Sequence, residues 1–411
     1  MRVSRLLLED FRSYVRADVE LAPGVTAFIG SNGAGKTNIL EAIHLLARGD
    51  SPRAGEDTEL VRWGAGMARV SASVERVDDA RKVETLLFAP PPGERKRPRR
   101  YLLDGAPKRA DDTVGEIAVV AFFPEDVDLL ADAPSGRRRY LDAMVGQIER
   151  RHRSETREYQ RVLEHRNALL RALRSDDRPS PTARTPDLEP GAHLRDPAGA
   201  GTGDGGGGGT GAGANSGAAT DAELAFWDGE LCRLAAAISL RRITAVREIV
   251  PAFRAEAQRF SGAEALDVAY ASQAEGETIE ERAASYRALL VSKRERERWQ
   301  GTTLVGPHRE DLVVSAHGRA LPEFASRGEQ RSAVLALKMA EAAWIAERRG
   351  EAPVFLLDDV LSELDPRRRD ALAEAIPVGA QALVTAAFPA GLPARLTDGA
   401  IVRTVRDGAI G

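Results

Sequence analysis

Apolar and polar positions alternate loosely over residues 3–8 and lose that pattern at 11–14. A short, mostly apolar run then covers 25–29 and stops at Gly30. These patterns predict strands, with a glycine-rich turn after the last. Beyond the turn, apolar residues at 39, 40, 43, 45 and 46 fit a helix packed on a sheet, which completes a strand, loop and helix unit. The segments VSASVE, VETLLFA and YLLD between 70 and 104 again read as strands; the PPPGERKRPRR stretch interrupting them carries prolines and charges that demand an exposed connection. IAVVAFFPED reads as a buried strand ending in a turn.

The period then changes. Over 136–174 apolar residues recur at helical spacing, which predicts one long helix or two in line. Residues 176–220 are rich in proline and then dominated by glycine, a composition that cannot bury enough apolar surface to fold and predicts a disordered insertion. Helical text resumes at Asp221 and is expected to end or kink at Pro251; a further helix is expected over 279–299. After GPHREDL the chain returns to strands, a helix at 330–348 and a buried strand at 354–357. Sheet, long helices and sheet imply one α/β domain split by a helical insertion. The expected parts are 1–135, 136–300 and 301–411.

Composition narrows the class. The chain has 411 residues, 43% apolar and 29% charged, with 58 Lys and Arg against 62 Asp and Glu and a net charge of −4, as in ordinary soluble proteins of more than one lobe. Cys232 has no partner in the chain, so a disulfide framework is excluded and a reducing cytoplasm is expected. The leucine run near the N-terminus is too short for a signal sequence, and no apolar stretch is long enough for a membrane span. An acidic balance also means that any DNA contact must be regional.

Gly30, Ser31, Asn32, Gly33, Ala34, Gly35, Lys36 and Thr37 satisfy GxxxxGK[ST] between a predicted strand and a predicted helix, the context a phosphate-binding P-loop requires. Glycines let successive N–H groups converge on a nucleoside triphosphate such as ATP, Lys36 adds a charge at its β and γ phosphates, and Thr37 offers a hydroxyl to Mg2+. A chance glycine-rich turn would not also have this context. In VFLLDD an apolar strand delivers Asp358 to its end, where the carboxylate can hold the Mg2+ shell, and Asp359 follows as a candidate for orienting or activating the attacking water. Taken alone, the Asp pair is also compatible with a turn cap. Ser326, Gly328 and Gln330 stand immediately before a predicted helix and supply a cap and a second anion-receptive N-terminus, although a plain N-cap would read the same way.

ASRGEQRS and LLDDVLSELD resemble the signature motif, Walker B and D-loop of ABC-type ATPases in their SMC-like form. LLLEDFRSY, FFPEDVDLLADAPSGRRRYLD, TLVGPHREDL and SRGEQRS, in order along nearly the whole chain, resemble the RecF family of bacterial recombination mediators. The resemblance implies an ABC-type, SMC-like P-loop ATPase head with a helical insertion lobe. It further implies an ATP-dependent homodimer in which Ser326–Gln330 meets the γ-phosphate held by the other subunit. Lys36, Asp358 and Asp359 are then the catalytic group. It also implies binding to duplex DNA beside single-strand gaps, RecR and RecO as partners, and roles in repair, replication restart and the SOS response. VTAAF at 384–388 lacks the histidine of transporter-type domains, leaving Thr385 as a candidate γ-phosphate sensor. Asp359 stands where fast hydrolases carry Glu, so slow turnover is expected.

The arginine-rich stretch 137–174 and the loop of Arg95, Lys96, Arg97, Arg99 and Arg100 are the two candidate DNA contacts, although a solvated face is the commoner role of such charge runs. Aromatic residues do not interleave with them, which favours duplex backbone binding over base stacking. His308 and Arg309 in GPHRED have no visible companion ligands, so metal binding there is not expected. A transporter ATPase would have Lys36 and Asp358 far closer in sequence, and a long SMC tether would need many more heptads. A nucleotide-binding scaffold without turnover remains the nearest alternative.

Overall fold

Two apolar runs, Val25–Ile29 and Val354–Asp358, become inner strands of a parallel sheet, and that sheet organises the larger part of the molecule. The computed structural model describes residues 1–90, 98–176, 212–261 and 266–411. The chain divides into two units, the first of Met1–Thr156, Ile238–Ser272 and Glu310–Gly411, the second of Arg157–Ala237 and Gln273–Arg309. The first therefore reaches beyond 135 and takes in 238–272, because apolar residues of that helical text pack with the sheet rather than with one another.

In the first unit an antiparallel sheet has the order β2-β1-β4-β5-β6-β7. Its strands are β1 (Arg2–Phe11), β2 (Tyr14–Glu20), β4 (Met67–Glu75), β5 (Ala80–Phe88), β6 (Arg100–Leu103) and β7 (Ala106–Lys108). The central sheet has the order β15-β14-β3-β13-β12-β8. It is built from β3 (Val25–Ile29), β8 (Val119–Phe122), β12 (Val354–Asp358), β13 (Ala382–Ala386), β14 (Ile401–Arg406) and β15 (Ala409–Ile410), parallel except for β15. A small sheet joins β9 (Leu266–Ala271), β10 (Asp311–Ala316) and β11 (Arg319–Ala320). The helices are α1 (Lys36–Arg48), α2 (Ala110–Thr113), α3 (Pro134–Ile148), α4 (Arg150–Asp176), α5 (Ala212–Ser261), α6 (Ile279–Gln300), α7 (Arg327–Arg349), α8 (Pro366–Ala375) and α9 (Ala394–Thr397). Among the described residues no helix is long and apolar enough to cross a membrane.

The two-residue period of a strand explains why the central runs are apolar throughout. Val354 and Leu356 enter one core with α1 and the antiparallel sheet, whereas Phe355 and Leu357 enter a second core with α3, α5 and α7. Leu383 of β13 joins the first core, while Ala382 and Val384 join the second. By the same parity, Asp358 and Thr385 lie on the α1 side.

Of the two readings of 136–174 the structure takes two helices, since Glu149 is extended between α3 and α4 (φ −105°, ψ 95°). Two other sequence expectations change in detail. Helix α5 starts at Ala212, ahead of Asp221. Pro251 lies inside α5 and does not end it, because Ile249, Phe253, Ala257 and Phe260 on both sides of it are buried in one core. The proposed disordered insertion falls mostly on 177–211, outside the described residues.

Buried charges tie α1 to α7. Arg48, at the end of α1, pairs with the fully buried Glu341 of α7, and Gln147 of α3 donates to the same carboxylate (3.3 Å). Gln147 also accepts from Val119 N–H (2.8 Å) and donates to Val119 C=O (3.1 Å), serving as a surrogate strand at the free edge of β8. Nearby, Lys338 of α7 donates to Ala121 C=O (2.7 Å) and pairs with Asp126 (2.8 Å). In the second unit the buried Arg166 of α4 bridges Asp228 of α5 and Glu297 of α6, each at 2.7 Å. Burial also pushes the Cys232 thiol there up to about 12, so it stays protonated.

Removing one partner of such a pair strands a charge in low dielectric. Glu341→Ala is therefore expected to cost about 3–5 kcal/mol, measured by urea unfolding, whereas Glu347→Ala, on the exposed side of the same helix, should stay within about 0.5 kcal/mol of wild type.

Candidate functional site

The loop between β3 and α1 takes its shape from its glycines. Gly33 and Gly35 sit at φ 84° and 109°, where side chains are strained, and a Cβ on Gly30 would collide with the backbone carbonyl oxygen of Val405 in β14. Two neighbouring segments brace the loop: Tyr14 Oη donates to Gly35 C=O (2.9 Å), and Gly408 N–H donates to Ala34 C=O (3.2 Å). Lys36 turns back on the loop and donates to Gly30 C=O (2.7 Å) and Ser31 C=O (2.9 Å). The Lys36 and Thr37 amides, at the start of α1, have no helical acceptors and carry the positive end of the helix dipole, while Asn38 N–H is bound to Gly35 C=O (3.1 Å).

Asp358 closes the site. Its Oδ1 accepts from Thr37 Oγ1 (2.9 Å) and from Thr385 Oγ1 (2.7 Å), so residues 321 and 27 positions away converge on one oxygen. Among the described residues nothing donates to its Oδ2. Burial raises the Asp358 carboxyl above its ordinary range, opposed by the two hydroxyl donors and by the nearby Arg53 guanidinium. Asp359 follows in the left-handed region (φ 50°), and its N–H donates to Thr385 Oγ1 (2.9 Å).

These groups line a cleft of about 340 Å³ with Asn32, Asn38, Arg53 and Pro124. A glycine-shaped loop, a lysine and a helix N-terminus facing two carboxylates can hold a polyphosphate and its cation. The Thr37 hydroxyl and the open Oδ2 of Asp358 are hard oxygen donors of the kind Mg2+ takes, so the residues fit that ion. Arg53, Asn38 and Pro124 escaped the sequence reading because each is an isolated residue in a connection or on a helix flank. The signal for Tyr14 was the break in strand pattern at 11–14.

Ser326, Gly328 and Gln330 are not among the residues lining this cleft. Ser326 is the exposed N-cap of α7: its Oγ accepts from Glu329 N–H (3.3 Å), while Glu329 accepts from Ser326 N–H (2.6 Å). Gln330 donates to Ala325 C=O (3.0 Å). Within one chain the segment is thus a capped helix start facing solvent.

The basic stretches are only partly free. Arg137 pairs with Asp311, Arg150 with Glu116, and Arg166 is buried, whereas the guanidinium groups of Arg139, Arg151, Arg161 and Arg171, all exposed residues, have no acidic partner among the described residues. In the second cluster Arg95, Lys96 and Arg97 lie outside the described residues, Arg99 is bound to Asp57 (2.6 Å), and Arg100 lies over the Phe88 ring. His308 meets Tyr159 Oη at 2.6 Å, and Arg309 donates to Thr303 C=O (3.0 Å), so GPHRED is a structural loop of the second unit up to residue 309.

Comparison with known proteins gives three findings. Residues 2–390 match the model of the RecF/RecN/SMC N-terminal domain. The DNA replication and repair protein RecF of Chloroflexus aurantiacus is 38% identical over 90% of this chain and 88% of its own, and that of Gloeobacter violaceus is 34% identical over 98% and 96%. A solved structure of the recombination mediator protein RecF-ATP in the RecFOR pathway, 24% identical, superposes with a TM-score of 0.80 over 100% of this chain and 96% of that one.

Gly30→Ala sets a Cβ against a backbone atom that cannot yield, so the loop must shift. Nucleotide affinity measured by calorimetry is expected to fall at least about tenfold, the equivalent of about 1.4 kcal/mol. Gly66→Ala, which meets open space at an ordinary φ, should leave it unchanged.

Proposed function

The chain belongs to the RecF family of DNA replication and repair proteins within the RecF/RecN/SMC group, with the α/β fold of an ABC-type, SMC-like P-loop ATPase head carrying a helical insertion lobe, and we propose that it is an ATP-dependent DNA-binding recombination mediator. In this reading it acts in the cytoplasm at single-strand gaps in duplex DNA, with RecR and RecO, in recombinational repair, replication restart and the SOS response. The observation that carries the nucleotide part is the convergence of Thr37 and Thr385 on Asp358 beside a correctly shaped phosphate loop. The fold neighbour described with ATP in the RecFOR pathway supports the same reading.

ATP would enter with its phosphates against the N–H groups of residues 33–37. Lys36 would then exchange the Gly30 and Ser31 carbonyls for the β and γ phosphate oxygens. Thr37 and Asp358 would hold Mg2+, which when bound neutralises charge developing on the phosphates. Asp359 would orient the attacking water, one methylene shorter in reach than a glutamate, so turnover would be slow. The exposed cap of α7 would complete the site of a second copy: Ser326 and the free amides of the first turn, near Gly328, are suited to a terminal phosphate, and Gln330 borders it. Nucleotide occupancy would thereby control dimerisation and grip on DNA.

Sedimentation with ATP, with and without gapped duplex, tests the assembly. Wild type is expected to dimerise; Lys36→Met should lose nucleotide binding and stay monomeric. Ser326→Arg should keep nucleotide affinity within about threefold yet stay monomeric, since an added side chain blocks only the borrowed contact. A wild type monomeric under every condition would overturn the dimer.

For DNA, replacing by Gln either Arg139 with Arg151 or, separately, Arg161 with Arg171 is expected to weaken duplex binding and to reduce the slope of log K against log salt by about 0.9 for each phosphate that is no longer neutralised. An unchanged slope would put the DNA face elsewhere.

A further inference from the structure

Thr385 is the residue at which a sensor of the terminal phosphate would be sought, and its hydroxyl is already committed elsewhere. A hydroxyl has one proton to donate and lone pairs to accept with. The Thr385 proton goes to Asp358 Oδ1 (2.7 Å), and its oxygen accepts the Asp359 N–H (2.9 Å). The side chain is buried, with the residue 1% exposed, and stands directly across the β12–β13 register from Asp358. Asp359 has left the strand for a left-handed conformation (φ 50°), so its N–H is turned from the ladder onto this side chain. One oxygen thus fixes the rotation of one carboxylate and the backbone of the next.

We propose that Thr385 is a positioning residue that clamps the Asp358–Asp359 pair, and that it does not sense the γ-phosphate. The consequence for Asp358 is specific. With Thr37 and Thr385 both donating to Oδ1, Oδ2 is left for the cation. The consequence for Asp359 is that its carboxylate starts from a fixed Cα instead of a fraying strand end. This deepens the nucleotide reading given above and rests on it, but the clamp itself is a property of the nucleotide-free chain.

Two measurements on the full chain separate the cases. The first needs no nucleotide: hydrogen exchange of the Asp359 amide should be at least about tenfold faster in Thr385→Val than in wild type, and close to wild type in Thr385→Ser, because valine keeps the shape and removes the acceptor. The second compares binding of a fluorescent ATP and the matching ADP, with Mg2+ and with EDTA, together with single-turnover hydrolysis. For Thr385→Val the clamp predicts hydrolysis at least about tenfold slower and a smaller Mg2+-dependent gain in ATP affinity, with the ATP-to-ADP preference in EDTA unchanged and serine restoring the rest.

Loss of the ATP-to-ADP preference in EDTA would make Thr385 a sensor and overturn the proposal. So would an Asp359 amide that exchanges at the wild-type rate in the valine variant. Should valine prevent folding, Thr385→Cys and Thr385→Ala carry the same comparison. If wild type binds no nucleotide at all, the phosphate-site reading fails, while the exchange measurement still decides the clamp.

Discussion

The contact between Thr37 and Asp358 is the one on which the site depends. It exists because β3 and β12 flank β13 in a parallel sheet, so that their C-terminal ends open on the same edge and α1 starts there. Parity does the rest, since Asp358 shares the α1-facing side of β12 with Val354 and Leu356. Slip β12 by one residue and Asp358 would turn to the opposite face of the sheet, away from Thr37.

A second set of contacts keeps α1 and α7 in fixed relation. The N-terminus of α1 carries the phosphate loop and that of α7 carries the Ser326 cap, and both helices are tied further along by Arg48 and Glu341. Lys338 adds a tie from α7 to the 123–128 turn, whose Pro124 lines the cleft. Buried ion pairs of this kind contribute little net stability compared with apolar residues of the same size, but they tolerate only one geometry. They thereby favour precise placement of the two helix ends.

Charge in this protein does more structural work than its arginine content suggests. Arg137, Arg150 and Arg166 look alike in the sequence, yet each is committed to an acidic partner from a distant segment. Within 137–174, among the described residues, the exposed side chains of Arg139, Arg151, Arg161 and Arg171 have no acidic partner. A run of like charges therefore overstates the surface available for DNA.

The phosphate loop, the strand delivering Asp358 and the helix after Ser326 were all legible in the sequence, because each depends on local geometry: glycines where φ is positive, apolar runs where both faces are covered, a Ser and a Glu at capping distance. Tertiary structure alone decided which atoms met. Helix α5 passes through Pro251 because packing on either side outweighs a missing backbone hydrogen bond, and the helical text of 136–174 splits at Glu149. Thr385 was visible as a candidate, but its partners were not. A hydroxyl has no role until its neighbours are fixed, and those neighbours come from β12, one strand over and 27 residues away from Thr385. Local preference is written in adjacent residues; the direction of a single hydrogen bond across a sheet is not.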